Sequence, residues 1–196
     1  EYNLDHLIQY DLPCIIKSIT KIANSDQLIY IGHSQGTTQF FASMDIHPDL
    51  HNKIRAFIGL GPVISLMGLH NHSLIKIMDK TRLCELLKMV GFKTLLIIPN
   101  WMSKLIGMLI YNCWFYFHGF YLIVTGLCGK NSTQDKINLK RFGVIISHEP
   151  GGSSITNVLH WIQMYRNNGI LTKFDYGKKK NLEIYGSEDP PAYTFD

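Results

Sequence analysis

Charge is scarce in this chain of 196 residues. Charged side chains make up 17% of it and hydrophobic ones 46%, against about 25% charged in an ordinary soluble domain, so an apolar surface is expected somewhere. Between Lys104 and Lys130 the chain carries no Asp, Glu, Lys or Arg, a run that includes all 24 positions of 105–128. The net charge of +4 is small, and the densest basic run, Lys178-Lys179-Lys180, has no basic face interleaved with aromatics around it. It reads as a solvated turn, and no nucleic-acid partner is expected. Cysteine is sparse as well: Cys14, Cys84, Cys113 and Cys128 show no C-x-x-C spacing, which argues against a zinc or thioredoxin-type site. No metal and no cofactor are expected. Cys113 and Cys128 could close a loop worth about 3 kcal/mol of chain entropy, or all four could be buried thiols. There is no internal repeat and no low-complexity tract. The chain opens at Glu1 with no initiator Met or signal peptide and breaks off at DPPAYTFD, so it is expected to be an internal piece of a longer protein. Asn71-His72-Ser73 and Asn131-Ser132-Thr133 fit the N-glycosylation acceptor pattern, which leans toward secretion.

What is present centres on residues 28–44, LIYIGHSQGTTQFFASM. Leu28, Ile29, Tyr30 and Ile31 have the composition of a strand buried on both faces, and Thr37 to Met44 carry no Gly or Pro and read as a helix. A strand that turns into a helix within a few residues strains the residue at the junction by about 1–3 kcal/mol. That residue is Ser34. The strain lifts its hydroxyl clear of the sheet edge, and Gly32 and Gly36 lack the side chains that would collide as strand and helix converge. The Gln35 amide, first in the helix, is placed to donate to an oxyanion. A serine hydroxyl needs a His to take its proton and an acid to orient that His.

Around this junction the order reads as helix, strand, helix, strand. Asp11 and Pro13 mark a helix start, and Ile15, Ile16, Ile19, Ile22 and Ala23 recur at helical spacing as a face for the sheet. RAFIGLGP at 55–62 is a second apolar strand, and a helix between two such strands makes a parallel βαβ unit. The fold class is α/β, with ligands expected at the strand exits where Ser34 and Pro62 lie. Apolar positions from Leu74 to Val90 read as helix with Gly91 as its stop, and a helix capped by Ser153 or Ser154 runs to a stop at Gly169. The uncharged run 105–128 has the length of a membrane span. Its Asn112, His118, internal glycines and mid-segment aromatics favour a lid whose apolar face covers the serine and opens onto lipid.

With these residues placed, the sequence resembles the acid lipase family, which includes gastric, lingual and lysosomal acid lipases. The likeness is carried by YDLPCII at 10–16, YIGHSQGTTQFF at 30–41, HPDLHNKIRAFIGLGPV at 47–63, SHEPGGSSITNVLHWIQ at 147–163 and FDYGKKKNLEIYGSEDPPAY at 174–193. It implies an α/β-hydrolase core over 1–63, a mostly helical cap and lid inserted over 64–187, and a return to the core at 188–196. It implies secretion or lysosomal delivery and hydrolysis of triacylglycerols or cholesteryl esters at a lipid-water interface. Ser34 falls on the family's nucleophile and Gln35 on its oxyanion residue. The family's acid and base follow the Pro-Pro segment in the order Ser, Asp, His, and this chain has no histidine after Asp175. Asp135 with His148 or His160 satisfies that order formally but falls in the cap, so the catalytic Asp and His are not assigned here. The family's cap commonly has three cysteines where this chain has Cys113 and Cys128, which puts their pairing in doubt. Two other readings stand beside the lipase: a thioesterase or peptidase on the same scaffold, and a non-enzymatic lipid-binding or membrane-anchored protein.

Overall fold

The computed structural model describes residues 1–69, 73–95, 97–112, 119, 139–148 and 151–194. Asn71, Cys113, Cys128, Asn131, Asp135 and most of 105–128 lie outside the described residues. In chain order the main elements are α1 (Leu12–Ile22), β1 (Leu28–His33), α2 (Gln35–Ile46), β2 (Ile54–Leu60), α3 (Ser73–Thr81), α4 (Leu83–Met89), β3 (Thr94–Leu95), α5 (Asn100–Asn112), α6 (Leu139–Ile146), β4 (Ser153–Ser154), α7 (Ile155–Arg166) and α8 (Lys178–Tyr185). Contacts divide the chain into two compact units, Glu1–His70 with Thr156–Asp196, and Asn71–Ile155.

In the first unit helical backbone begins earlier than the Asp11 signal suggests. Asn3 caps a turn at Leu4–His6 through a reciprocal capping box with His6, and the chain passes through a π turn at Leu7–Asp11 directly into α1. Asp11 sits inside this helix (φ −68°, ψ −53°) and makes no capping bond. Pro13 cannot donate to the ladder, and the widened turn just before it absorbs the missing amide, so proline marks a continuation here. The sheet-facing stripe also differs from expectation. Leu12, Pro13, Ile16 and Thr20 are buried, while Ile15, Ile19 and Ile22 stay exposed, Ile22 at 85%. Thr20 tolerates burial because its Oγ1 donates to the Ile16 carbonyl at 3.0 Å.

β1 and β2 pair in parallel with Tyr30 opposite Phe57, Ile31 opposite Ile58 and His33 opposite Leu60. On one face Tyr30 and Phe57 stack with Phe40 of α2, at centroid distances of 4.9 Å and 4.2 Å from its ring. Leu12, Ile16, Met44 and Leu50 complete that core. On the other face Ile29, Ile31, Ile58 and Leu60 are exposed. The strand composition suggested burial on both faces; α1 and α2 instead contribute to the same cluster, so both cover one side.

A second core joins Leu4, Ile8, Ala42, Leu66, Met164, Leu171 and Tyr193. The Asp5 carboxylate ties its ends together, accepting from the Phe174 amide at 2.8 Å and the Tyr193 hydroxyl at 2.7 Å. Burial and the neighbouring Asp5 charge push the Tyr193 hydroxyl well above its ordinary pKa, so it stays a donor. The run Lys178-Lys179-Lys180 is the first turn of α8, not a loop. That helix is set by buried Asn181, which accepts from the Tyr176 amide at 2.9 Å and donates to Asp175 Oδ1 and the Glu188 carbonyl, both at 2.8 Å.

In the second unit the helical stretch after Ser73 is two helices, α3 and α4, broken where Arg82 takes a left-handed backbone (φ 47°). No Gly or Pro announces that break. Gly91 (φ 94°) stops α4 as expected. Ser153 and Ser154 pair antiparallel with Leu95 and Thr94 before α7 begins. α5 and α6 approach closely at Gly107, where a Cβ would collide with the Gly143 carbonyl and with Ser147 Cβ at 2.8 Å. Among the described residues no helix is long and apolar enough to cross a membrane.

Candidate active site

Ser34 stands alone between β1 and α2 with φ 49° and ψ −118°. A residue with a Cβ is rarely held there, and the conformation costs about 1–3 kcal/mol that the surroundings must offset. They do so from several directions. The Ser34 amide donates to the Leu60 carbonyl at 3.0 Å, extending the sheet ladder by one residue. The Ser34 carbonyl accepts from the Thr37 amide at 2.9 Å and from Thr37 Oγ1 at 2.6 Å. Thr37 Oγ1 in turn accepts from the Val63 amide at 2.9 Å, and Thr38 Oγ1 donates to the Val63 carbonyl. The Ser34 side chain is left exposed, and among the described residues its hydroxyl has no hydrogen-bond partner.

The two flanking glycines are not equivalent. A Cβ on Gly32 would lie 2.9 Å from the Tyr30 ring and 3.2 Å from the Gly36 backbone. Gly32 is therefore the position where strand and helix would collide. A Cβ on Gly36 would meet only the Tyr30 hydroxyl, at an ordinary 3.8 Å, so the collision expected of both glycines applies to Gly32 alone. The Tyr30 hydroxyl also donates to the Gly36 carbonyl at 2.9 Å, which holds the first turn of α2 against the strand. Gly32→Ala is expected to cost about 1–3 kcal/mol by overpacking, and Gly36→Ala to be neutral or stabilising by up to about 1 kcal/mol through helix propensity. Denaturant midpoints of the two variants check the difference.

Gln35 is the first residue of α2, so its backbone N–H lies beyond the reach of the helix's own carbonyls and at the positive end of its dipole. No acidic side chain sits in that first turn. The Gln35 side chain does not drift into solvent: its Oε1 accepts from Trp161 Nε1 at 2.7 Å and from Asn157 Nδ2 at 2.8 Å, both on α7. Sequence reading missed these partners, which are 126 and 122 residues away and carry no local signal.

His160 is engaged in the interior. It is 1% exposed, with Nε2 2.7 Å from the Thr172 carbonyl and 4.0 Å from Asp5 Oδ1, and its ring meets Phe174 edge to face. His148 bonds within its own turn, Nδ1 lying 2.8 Å from the Val144 carbonyl. Burial drives the His160 pKa below its ordinary 6.5, against the opposing pull of Asp5 and the Thr172 carbonyl. The unfolded chain therefore binds a proton below about pH 6.5 that the folded unit refuses, and stability falls as pH drops through that range. Replacing His160 with Gln is expected to flatten the decline, read as denaturation midpoints between about pH 7 and pH 5.

A hollow of about 550 Å³ lies along α2, lined by Phe40, Phe41, Met44, Pro48, His51 and Ile54. Ser34 is not part of its lining.

No family model matches the chain. Curated proteins do. It is 32% identical to lipase lipl-1 of Caenorhabditis elegans over 206 residues, covering 100% of this chain and 48% of the relative. A Crotalus adamanteus protein provisionally named lysosomal acid lipase/cholesteryl ester hydrolase is 30% identical, again over 100% of this chain and 48% of its own length. Gastric triacylglycerol lipase of Bos taurus is 30% identical over 98% of this chain and 47% of the relative. The chain spans about half the length of the curated relatives it matches. This likeness, sustained from end to end of the chain, supports an acid lipase-like family.

Proposed function

We propose that the chain is the nucleophile-bearing part of a serine ester hydrolase, a lipase that cleaves carboxyl esters of neutral lipids such as triacylglycerols or cholesteryl esters. The observation that carries this reading is the exposed Ser34 hydroxyl on a positive-φ backbone at the exit edge of a parallel strand pair. Relatives named as lipases along its whole length support it. In the reaction Ser34 Oγ attacks the acyl carbonyl carbon as its proton passes to a base, and the carbonyl oxygen becomes an oxyanion that the Gln35 amide meets as a donor. The alcohol leaves with a proton, and water then attacks the acyl-enzyme and releases the fatty acid. The base and the acid that orients it are assigned to no residue of this chain, so the chain alone is expected to be inactive.

The same proposal places Ser34 in an α/β-hydrolase core over 1–63, with 64–187 as a cap and lid that opens at a lipid-water interface and 188–196 returning to the core. It also places the whole protein in the secretory or lysosomal route, with Asn71 and Asn131 as glycan acceptors. Hydrolysis rates of the whole protein on matched esters and thioesters of rising acyl length test the substrate class. A preference for oxygen esters of long acyl chains is expected. Preferential cleavage of thioesters, or no cleavage of either by folded protein, contradicts it.

A further inference from the structure

The oxyanion donor proposed above is a backbone amide, and a backbone amide points only where its two flanking torsions put it. On the Ser34 side those torsions are held by the sheet and by Thr37. On the Gln35 side the restraint comes from α7. Asn157 and Trp161 are four residues apart, which sets them on one face of that helix, and both donate to the same atom, Gln35 Oε1, at 2.8 Å and 2.7 Å. Two donors fill both lone pairs of that oxygen. Asn157 is 3% exposed, and Trp161 is half-buried and packs against the core cluster that includes Met164 and Leu171. The tether is therefore anchored in the buried part of its unit.

We infer that Trp161 and Asn157 are positioning residues for the proposed hydrolysis, acting through the Gln35 side chain to hold the Gln35 backbone amide in line with the oxyanion. The inference rests on the Ser34 reading and adds to it a role for α7. A glutamine side chain left in solvent would remove one of the restraints on the Gln35 peptide, and a donor misplaced by a fraction of an ångström loses much of its worth in the transition state. Such a tether acts on the transition state and leaves binding of the neutral ester largely alone.

The test uses the whole protein and a water-soluble short-chain ester. Trp161→Phe keeps most of the ring and removes only the Nε1 donor; it is expected to lower kcat by about tenfold with KM changed less than about twofold. Gln35→Leu is expected to lower kcat at least as far, and Trp161→Phe added to Gln35→Leu to cause no further loss, the mark of two groups acting through one contact. An unchanged kcat in Trp161→Phe overturns the inference. So does a rise in KM at constant kcat, or additive losses in the double variant. The Ser34 reading fails separately: turnover that survives Ser34→Ala removes it and this inference together, whereas a dead Ser34→Ala beside a fully active Trp161→Phe removes only the role of α7.

Discussion

Ser34→Ala is expected to reduce ester turnover by the whole protein by about 10⁴-fold or more, the scale set by loss of a nucleophile that works as part of a unit, while the unfolding midpoint barely moves. Among the described residues the hydroxyl makes no hydrogen bond, so its removal breaks none there. Ser34→Gly sharpens the test. Glycine adopts a backbone near φ 49° and ψ −118° without the Cβ penalty, so this variant is expected to be as inactive as the alanine and more stable than the wild type by about 1 kcal/mol. A substitution that stabilises while it inactivates is the signature of strain retained for function. Equal stability of the serine and glycine forms would mean that the backbone at position 34 is relaxed, and the argument from strain would fail.

The largest expected loss of stability comes from a glycine after α7. Gly169 follows α7 with φ 81°, and its amide closes the helix by donating to the Met164 carbonyl at 2.9 Å. Its carbonyl accepts from the Leu66 amide at 3.1 Å and from Ser65 Oγ at 2.9 Å, bringing the segment after β2 against the segment after α7. A Cβ here would collide with the Met67 amide nitrogen and lie 2.5 Å from the Leu66 carbonyl carbon. Those are backbone atoms and cannot swing aside as a side chain would. Gly169→Ala is expected to cost about 3 kcal/mol or more, from left-handed strain plus forced separation of the two segments. The comparison is with Gly186→Ala, which has a positive φ of 72° but open space around the added Cβ and is expected to lose only about 1 kcal/mol. Equilibrium denaturation of both variants measures the gap. Equal losses would mean that backbone strain alone, and not close approach, decides the cost.

Much of the local frame was legible because its causes are local. The apolar run at 28–31, the glycine at 32 and the uninterrupted stretch after Thr37 announce a strand, a tight exit and a helix, and the second apolar run at 55–62 announces a parallel partner. Gly91 and Gly169 marked helix ends because a left-handed residue is needed there and glycine supplies it without cost. What was not legible depended on neighbours. Pro13 carries the same signal whether a helix begins beside it or a π turn carries one past it. Ile15, Ile19 and Ile22 have the helical spacing of a buried face, yet the helix turns Ile16 and Thr20 inward, and periodicity cannot say which of two apolar edges meets the sheet. Arg82 breaks a helix with no sequence mark at all. At the candidate site, Ser34 and Gln35 stood out by pattern, and the glycine string distinguished neither the crowded Gly32 from the roomy Gly36 nor the tether from α7. The contacts of Trp161 and Asn157 with Gln35 exist only once the chain has folded.

The central claim is that the hydroxyl at position 34 is a nucleophile. Treatment of the folded whole protein with a fluorophosphonate, followed by proteolysis and mass spectrometry of the peptides, tests it most directly. The account predicts a single stoichiometric adduct on the Ser34 hydroxyl, formed in step with loss of esterase activity and absent from Ser34→Ala. Loss of activity with the adduct on a different serine, or full activity loss with Ser34 unmodified, would contradict it.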